Sequence, residues 1–217
     1  MNVSSQFDVT GFGVVVTGGA SGLGLAYGEV LAAHGARVTL IDVAADAVSA
    51  EAGRLQGEGL DVRAAVADVT DHPALDRAID EAAELYGRLD VAFANAGIDP
   101  GVGFVGAWAG GERPRVADGA LERYTDERWN RVIDINLNGI FATARAAVRH
   151  MRPRGFGRIV VTTSLVATKA EPAIGFASGT PKAGVEGVGT RGSIRFLERL
   201  PRDGRVIARR VGVPCSA

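Results

Sequence analysis

Val14-Val15-Val16-Thr17-Gly18-Gly19-Ala20-Ser21-Gly22-Leu23-Gly24 is the stretch on which the reading of the whole chain turns. Val14 to Val16 is short, apolar and β-branched, the mark of a buried strand. Leu23 to His34 follows with helical spacing and stops at Gly35, a residue suited to a left-handed cap. A strand, a glycine turn and a helix N-terminus together offer unpaired backbone N–H groups and the positive end of a helix dipole to a phosphate, where side chains would block its approach. Gly18 then makes the turn, Gly22 admits a pyrophosphate and Gly24 lets helix and strand touch. The glycines alone fit an ordinary turn as well, so the context has to decide.

Asp42 supplies that context. It closes a second strand, Val38 to Ile41, 18 residues after Gly24, near the offset of about 20 at which a carboxylate accepts hydrogen bonds from an adenosine ribose. A carboxylate there repels a 2′-phosphate, and the neighbouring Val43 and Ala20 offer no cation to receive one. The expected cofactor is therefore NAD rather than NADP. The competing reading of Asp42 is a helix N-cap, because Val43 and Ala44 could start the next helix.

The same alternation runs downstream. A helix from about Ala44 to Leu55 precedes a third strand, Val62 to Ala67, and Asp71 with Pro73 starts a helix that reaches Tyr86 before Gly87. Leu89 to Ala94 is a fourth strand. A long helix from about Asp126 to Met151 sets Trp129, Val132, Ile133, Ile140, Phe141, Ala144 and Val148 at helical spacing, and Ile159 to Thr163 is a fifth strand. Strands that are apolar throughout call for a parallel sheet covered on both faces. The expected fold class is α/β, a doubly wound parallel sheet of Rossmann type in a single domain over 1–217, with its ligand at the carboxyl ends of the strands where strand order reverses. Residues 98–126, with Pro100 and Pro114, read as an inserted glycine-rich loop near that crevice, and Arg205 to Val213 as a weak sixth strand.

Composition removes several alternatives. With 217 residues, 47% hydrophobic and 23% charged, the chain is neither disordered, collagen-like nor a disulfide scaffold. Its formal charge of -1 gives no overall attraction to nucleic acid or an anionic membrane. The distribution is uneven: residues 189–217 carry seven arginines against Glu198 and Asp203, a net +5, leaving -6 on the rest. That basic tail has a single aromatic, Phe196, and no nucleic-acid motif, so no nucleic-acid partner is expected. Cys215, the one cysteine, can form no internal disulfide and supplies no metal cluster, which fits a reducing compartment. The opening MNVSSQFDVTGF has no basic or apolar leader pattern and no apolar run approaches 18 residues, so a soluble cytoplasmic protein without membrane partners is expected.

An ordered series of short motifs resembles the short-chain dehydrogenase/reductase family: TGGASGLG at 17–24, Asp42, Asp68-Val69, Asn95-Ala96-Gly97, Asn136 within INLNG, and Ser164 after GRIVVTT. It covers roughly residues 10–188. The resemblance implies an NAD-dependent oxidoreductase that moves hydride between nicotinamide and the carbinol carbon of a secondary alcohol or ketone. It implies that Thr17, Gly18, Ser21, Gly22, Leu23, Gly24 and Asp42 hold the cofactor, that Asp68 and Val69 contact adenine, and that Asn95, Ala96 and Gly97 hold its side of the central sheet. Asn136 would anchor a water in a proton relay, Ser164 would hydrogen-bond the substrate oxygen and Lys182 would bind the nicotinamide ribose. Two copies would pair through the helix at 126–151 and the one after Lys182. Read without the family, Asn136 is a buried amide satisfied by backbone, Ser164 is one hydroxyl in a run with Thr162 and Thr163, and Tyr86, Tyr124 and His150 are surface residues.

The series breaks at one position. The family's chemistry needs a tyrosine followed four residues later by a lysine whose charge favours the phenolate. Lys182 matches the lysine, but Ser178 stands at the tyrosine position, with a hydroxyl too weak an acid and a side chain shorter by a ring. Pro181 clashes with the Ala177 carbonyl and biases Thr180 away from helical angles, so Thr180 reads as an N-cap and Ser178 as outside the helix. Gly179, Gly184, Gly187, Gly189 and Gly192 would each weaken that helix by roughly 0.5 to 1 kcal/mol relative to Ala. Two functional readings follow. One is a slow enzyme in which Ser178 or a water passes the proton. The other is an NAD-binding protein without efficient catalysis, diverged, shortened or altered in frame from about residue 176. Substrate identity and reaction direction are not legible, because the family reads substrates with a loop that is unusual here and a C-terminal segment that is short here.

Overall fold

The computed structural model describes residues 8–99, 101, 103, 105, 115–164, 167, 177 and 179–185. The elements run β1 (Gly13–Thr17), α1 (Gly22–Ala33), β2 (Arg37–Asp42), α2 (Ala45–Gly57), β3 (Val62–Val66), α3 (His72–Tyr86), β4 (Val91–Ala94), α4 (Asp126–Ile133), a π-helical turn (Asp134–Asn138), α5 (Gly139–Arg154) and β5 (Arg158–Val161). The five strands are parallel, in the order β3-β2-β1-β4-β5, with Val15 opposite Thr39 on one side and Ala92 on the other. Strand order reverses between β1 and β4, which opens a crevice at their carboxyl ends.

The apolar character of the central strands follows from the two layers they separate, whereas β3 at the sheet edge exposes Arg63, Ala64 and Val66. Successive strand side chains point to opposite faces. Val14 and Val16 join Val38 and Leu40 against Ala32 of α1 and Val48, Ala52 and Leu55 of α2. Val15, Ile41 and Ala92 face Leu75 and Ile79 of α3 and Ala146, Ala147 and Met151 of α5. Each fully buried Val, Leu or Ile contributes about 1.5–3 kcal/mol of transfer free energy before chain entropy is charged against it.

Helix ends follow local chemistry. The Asp71 carboxylate accepts the Ala74 N–H at 3.0 Å at the start of α3, and Gly87 ends that helix in the left-handed region at φ 67°. Thr125 Oγ1 accepts the Arg128 N–H at 3.3 Å at the start of α4. The long helix expected over 126–151 is present but not uniform, because the π-helical turn interrupts it at Asp134–Asn138. Such a turn shifts the backbone hydrogen-bond register by one residue and re-aims the side chains that follow.

At the amino ends of the strands sits a buried carboxylate. Asp90 is fully buried and accepts from Arg88 Nε at 2.5 Å and Nη2 at 2.8 Å, from the Gly13 N–H at 2.9 Å and from Arg154 Nη1 at 3.2 Å. Burial alone would raise its pKa, but the bonds from Arg88, Gly13 and Arg154 together hold it below the usual carboxylate value. The start of β1, the start of β4 and the end of α5 are thereby tied to one side chain.

Two side chains read as surface residues are not. Tyr86 is 6% exposed, its hydroxyl paired with Thr39 Oγ1 at 3.0 Å. It lies four and seven residues after Ala82 and Ile79, on the apolar face of α3, and burial pushes its phenol pKa up. His150 is half-buried, with Nε2 2.6 Å from Asp80 Oδ1 between α5 and α3. Of the inserted loop, the described residues include an antiparallel bridge between Val105 and Arg115. The proposed sixth strand and the basic tail lie outside the described residues. Among the described residues no helix is long and apolar enough to cross a membrane.

Candidate functional site

A cleft of about 1040 Å³ opens at the carboxyl ends of the strands. Gly18, Ser21, Gly22 and Leu23 line it from the β1–α1 turn, Asp42 from β2, Asp68 and Val69 from the end of β3, and Asn95, Ala96 and Gly97 from the end of β4. Asn136 of the π turn and Lys182 line it as well. The sequence motifs, scattered over some 160 positions, therefore converge on one space.

The glycine turn has the shape its spacing implies. Gly18 adopts φ 67° and Gly22 φ 54°, values that exclude most other residues. A Cβ at Gly22 would meet nothing within 4 Å, so the start of α1 presents bare backbone to the cleft. Gly24 is the opposite case: a Cβ there would strike the Gly18 carbonyl oxygen and stand 2.6 Å from Asn95 Nδ2. A dinucleotide phosphate fits this arrangement, with open approach on one side and a helix pressed against the turn on the other.

Asp42 links the turn to β2. Its Oδ2 accepts the Ala20 N–H at 3.0 Å and its Oδ1 accepts the Ala44 N–H at 3.0 Å, while α2 starts only at Ala45. The side chain thus makes a local turn before α2 and holds the glycine loop, and its carboxylate still borders the cleft. Asp68 is exposed, with Oδ1 accepting from Thr70 N and Oγ1 at 2.8 Å each.

Behind the cleft a polar chain crosses three strand ends. The buried Thr17 Oγ1 accepts the N–H groups of Asn95 at 3.1 Å and Ala96 at 3.3 Å and donates to the Phe93 carbonyl at 3.2 Å. Asn95 Nδ2 donates to the Thr17 carbonyl at 3.2 Å, and its Oδ1 accepts from Thr162 Oγ1 at 2.8 Å. The Thr162 carbonyl in turn accepts from Lys182 Nζ at 2.9 Å. Thr17 and Gly24 therefore shape the cleft from behind rather than lining it.

Lys182 sits on helical backbone over 179–185. Thr180, read as an N-cap, is itself helical, and Pro181 follows it on the same helical backbone. Gly184 turns out to have a packing reason, since a Cβ at that position would come within 3.2 Å of Leu137 Cδ1 on the π turn. Val185 joins Ala94 and Ile140 in a small apolar cluster, and Thr163 Oγ1 donates to the Lys182 carbonyl at 3.3 Å. These contacts, rather than intrinsic propensity, hold the helix. Burial lowers the Lys182 pKa below the ordinary lysine value.

Asn136, 2% exposed, uses its amide on backbone: Oδ1 accepts the Ile98 N–H at 2.8 Å and Nδ2 donates to the Ile98 carbonyl at 2.9 Å. It pins the segment after β4 to the π turn. A Cβ on Gly97 would lie 3.2 Å from Asn136 Oδ1 and 3.7 Å from Lys182 Nζ, so amide and ammonium meet over that glycine.

A family model for short chain dehydrogenase matches residues 13–191. The chain belongs to the short-chain dehydrogenase family. It is 32% identical over 187 residues to a levodione reductase of Leifsonia aquatica, covering 84% of this chain and 63% of that one. It is 30% identical over 174 residues to a gluconate 5-dehydrogenase of Gluconobacter oxydans (strain 621H), covering 80% and 61%. The crystal structure of an NAD+-bound xylitol dehydrogenase superposes with a TM-score of 0.79 at 26% identity, over 94% of this chain and 71% of that one. The chain spans less than two thirds of the length of the two curated relatives.

Within the short-chain dehydrogenase frame, two expected residues stand apart. Ser164 is described, three residues beyond the end of β5, but is not among the residues lining the cleft. Ser178 lies outside the described residues. The structure also adds members that motif reading missed, chiefly Thr162 and Ile98, which act through backbone groups, and Arg131, Asn130 and Glu127, which line the cleft from α4. The pair of threonines closing β5 hinted at Thr162. A backbone carbonyl or N–H carries no residue-type signature, which is why Ile98 had none.

Proposed function

We propose that this chain is an oxidoreductase that uses NAD to interconvert a small secondary alcohol and its ketone. The observation that carries the reading is the placement of Asp42 and Lys182 at opposite ends of one cleft, on β2 and beside β5. With β1 and β4 between, they stand roughly 14 Å apart at about 4.8 Å per strand, a span suited to an extended dinucleotide. Ser21 and Gly22 would hold the pyrophosphate at the start of α1, Asp42 the adenosine ribose, and Asp68 and Val69 the adenine. Gly97 would lie against the nicotinamide side and Lys182 would bind its ribose. When bound, the cofactor supplies the hydride. Asn136 positions this end by fixing Ile98, and any water relay would gather about the π turn. Ser164 would polarise the substrate oxygen. An exposed Phe141 on α5 supports pairing of two copies along that helix.

Asp42 favours NAD over NADP, since its carboxylate borders the cleft and neither Ala20 nor Val43 supplies a cation. Calorimetry with the two cofactors tests this directly: tighter binding of NADP would remove the assignment. A second reading, binding without turnover, is favoured by one observation, that none of the chain's three tyrosines lines the cleft. Ser178→Tyr separates the two readings. A gain of turnover on secondary alcohols supports the enzyme; NAD binding with no gain supports the binding protein.

A further inference from the structure

We propose that Lys182 is itself the proton donor and acceptor of this site, acting directly on the substrate oxygen in place of the tyrosine that Ser178 replaces. The proposal rests on the oxidoreductase reading above. Its first support is the position of the tyrosines. Tyr27 stacks on Phe93 with ring centroids 4.9 Å apart, Tyr86 is buried on Thr39, and Tyr124 lies beneath the Arg128 guanidinium at 4.4 Å. Its second support is the composition of the β4–β5 end of the cleft. Of Asn95, Ala96, Gly97, Asn136, Thr162 and Lys182, Lys182 alone has a titratable side chain.

The third support is how Nζ is held. Its bond to the Thr162 carbonyl, 2.9 Å, engages one of three ammonium protons with an acceptor that cannot titrate. Nζ also lies beside Gly97, 3.7 Å from where a Cβ there would stand, and Lys182 lines the cleft. Among the described residues, the groups near it are Gly97 at the end of β4, Thr162 just after β5 and Asn136 on the π turn, none of them ionisable. The carboxylate on that turn, Asp134, accepts from Asn138 Nδ2 at 2.9 Å and forms no ion pair with Lys182. Burial, with no carboxylate beside it among the described residues, lowers the ammonium pKa from the ordinary lysine value, and lowering a donor's pKa toward the working pH eases its proton transfer.

The chemistry balances. In reduction the substrate C=O π bond breaks, hydride from a bound dihydronicotinamide forms the new C–H bond, and a proton from Nζ forms the O–H bond. The neutral amine left behind takes a proton from water. In oxidation each transfer reverses, and the neutral amine accepts the hydroxyl proton.

The chain contains two lysines, Lys169 and Lys182, so lysine labelled with 13C at Cε gives two signals that Lys182→Arg assigns. The expected result is a Lys182 signal that titrates below the ordinary lysine range, at the midpoint where reduction of a ketone panel headed by cyclohexanone with NADH falls off with pH. Lys182→Arg keeps the charge but cannot give up its proton, so reduction at saturating NADH should slow about 100-fold, the scale of a lost general acid. Lys182→Ala, folded by circular dichroism, should regain part of the rate on addition of ethylammonium. An arginine variant with the wild-type rate, a kinetic midpoint that departs from the Lys182 signal, or no amine rescue would each overturn the lysine while leaving the oxidoreductase reading in place. Failure of the wild-type chain to reduce any ketone with NADH bound would remove that reading and this proposal together.

Discussion

Asp90 and Lys182 are charges at opposite ends of the same sheet, one fully buried and the other half-buried, and the fold treats them in opposite ways. Asp90 is surrounded by two arginines and a backbone N–H, so its charge is matched where β1, β4 and α5 meet. Lys182 has one carbonyl and, among the described residues, no carboxylate partner. Taking an ion out of water costs several kcal/mol unless a counter-charge offsets it. The amino end of the sheet is therefore built to hold its strands together, and the carboxyl end bears a cation with no carboxylate beside it among the described residues, the setting the proposed proton transfer calls for.

Substitutions at the two ends should separate stability from binding. Asp90→Ala leaves two arginines and the Gly13 N–H without their acceptor, and urea unfolding should show a loss of about 3 kcal/mol with NAD affinity by calorimetry unchanged. Gly24→Ala tests the other end: overpacking against the Gly18 carbonyl should cost about 1–3 kcal/mol and weaken NAD binding at least tenfold. A variant that loses stability but binds normally would show that the turn is not the phosphate cradle.

Smaller effects sharpen the contrast between the two charges. The Lys182 pKa is lower folded than unfolded, so the charged form disfavours folding, and wild-type stability should climb as pH rises through the folded pKa toward about 10.4. Lys182→Met should be more stable than wild type at pH 7 by about 1 kcal/mol, lack that climb, and bind NAD less tightly. Asp90 has the opposite sign. Its folded pKa is depressed, so its contribution is complete above the unfolded value of about 3.9 and is lost as pH falls through the folded one. Urea midpoints measured from pH 6 to pH 2 should show the gap between wild type and Asp90→Ala narrowing on the acid side, the smallest of these effects.

The fold is largely legible in the sequence. Valine runs and glycine stops locate all five strands to within one or two residues, because the central strands are buried on both faces and the edge strands keep the same spacing between helices. The glycine turn, Asp42, Asp68 and Asn95–Gly97, singled out in the sequence because backbone geometry or charge restricts the residue type, all line one cleft. Tyr86 was misread because its place on the apolar face of α3 outweighs the preference of a phenol for water. The helix at 179–185 was judged too weak because propensity counts Gly184 as a loss, whereas Leu137 packs where a side chain would have been.

What the sequence determined by itself is the order of elements, the parallel sheet and the cofactor-type turn, each written in periodicity or in a residue that no other can replace. Tertiary structure alone decided that Lys182 Nζ rests on the Thr162 carbonyl, that Asn136 closes on Ile98, and that Asp90 ties β1 to α5. Those contacts join residues far apart in the chain, several through backbone groups that every residue carries, so only the folded arrangement selects which ones meet.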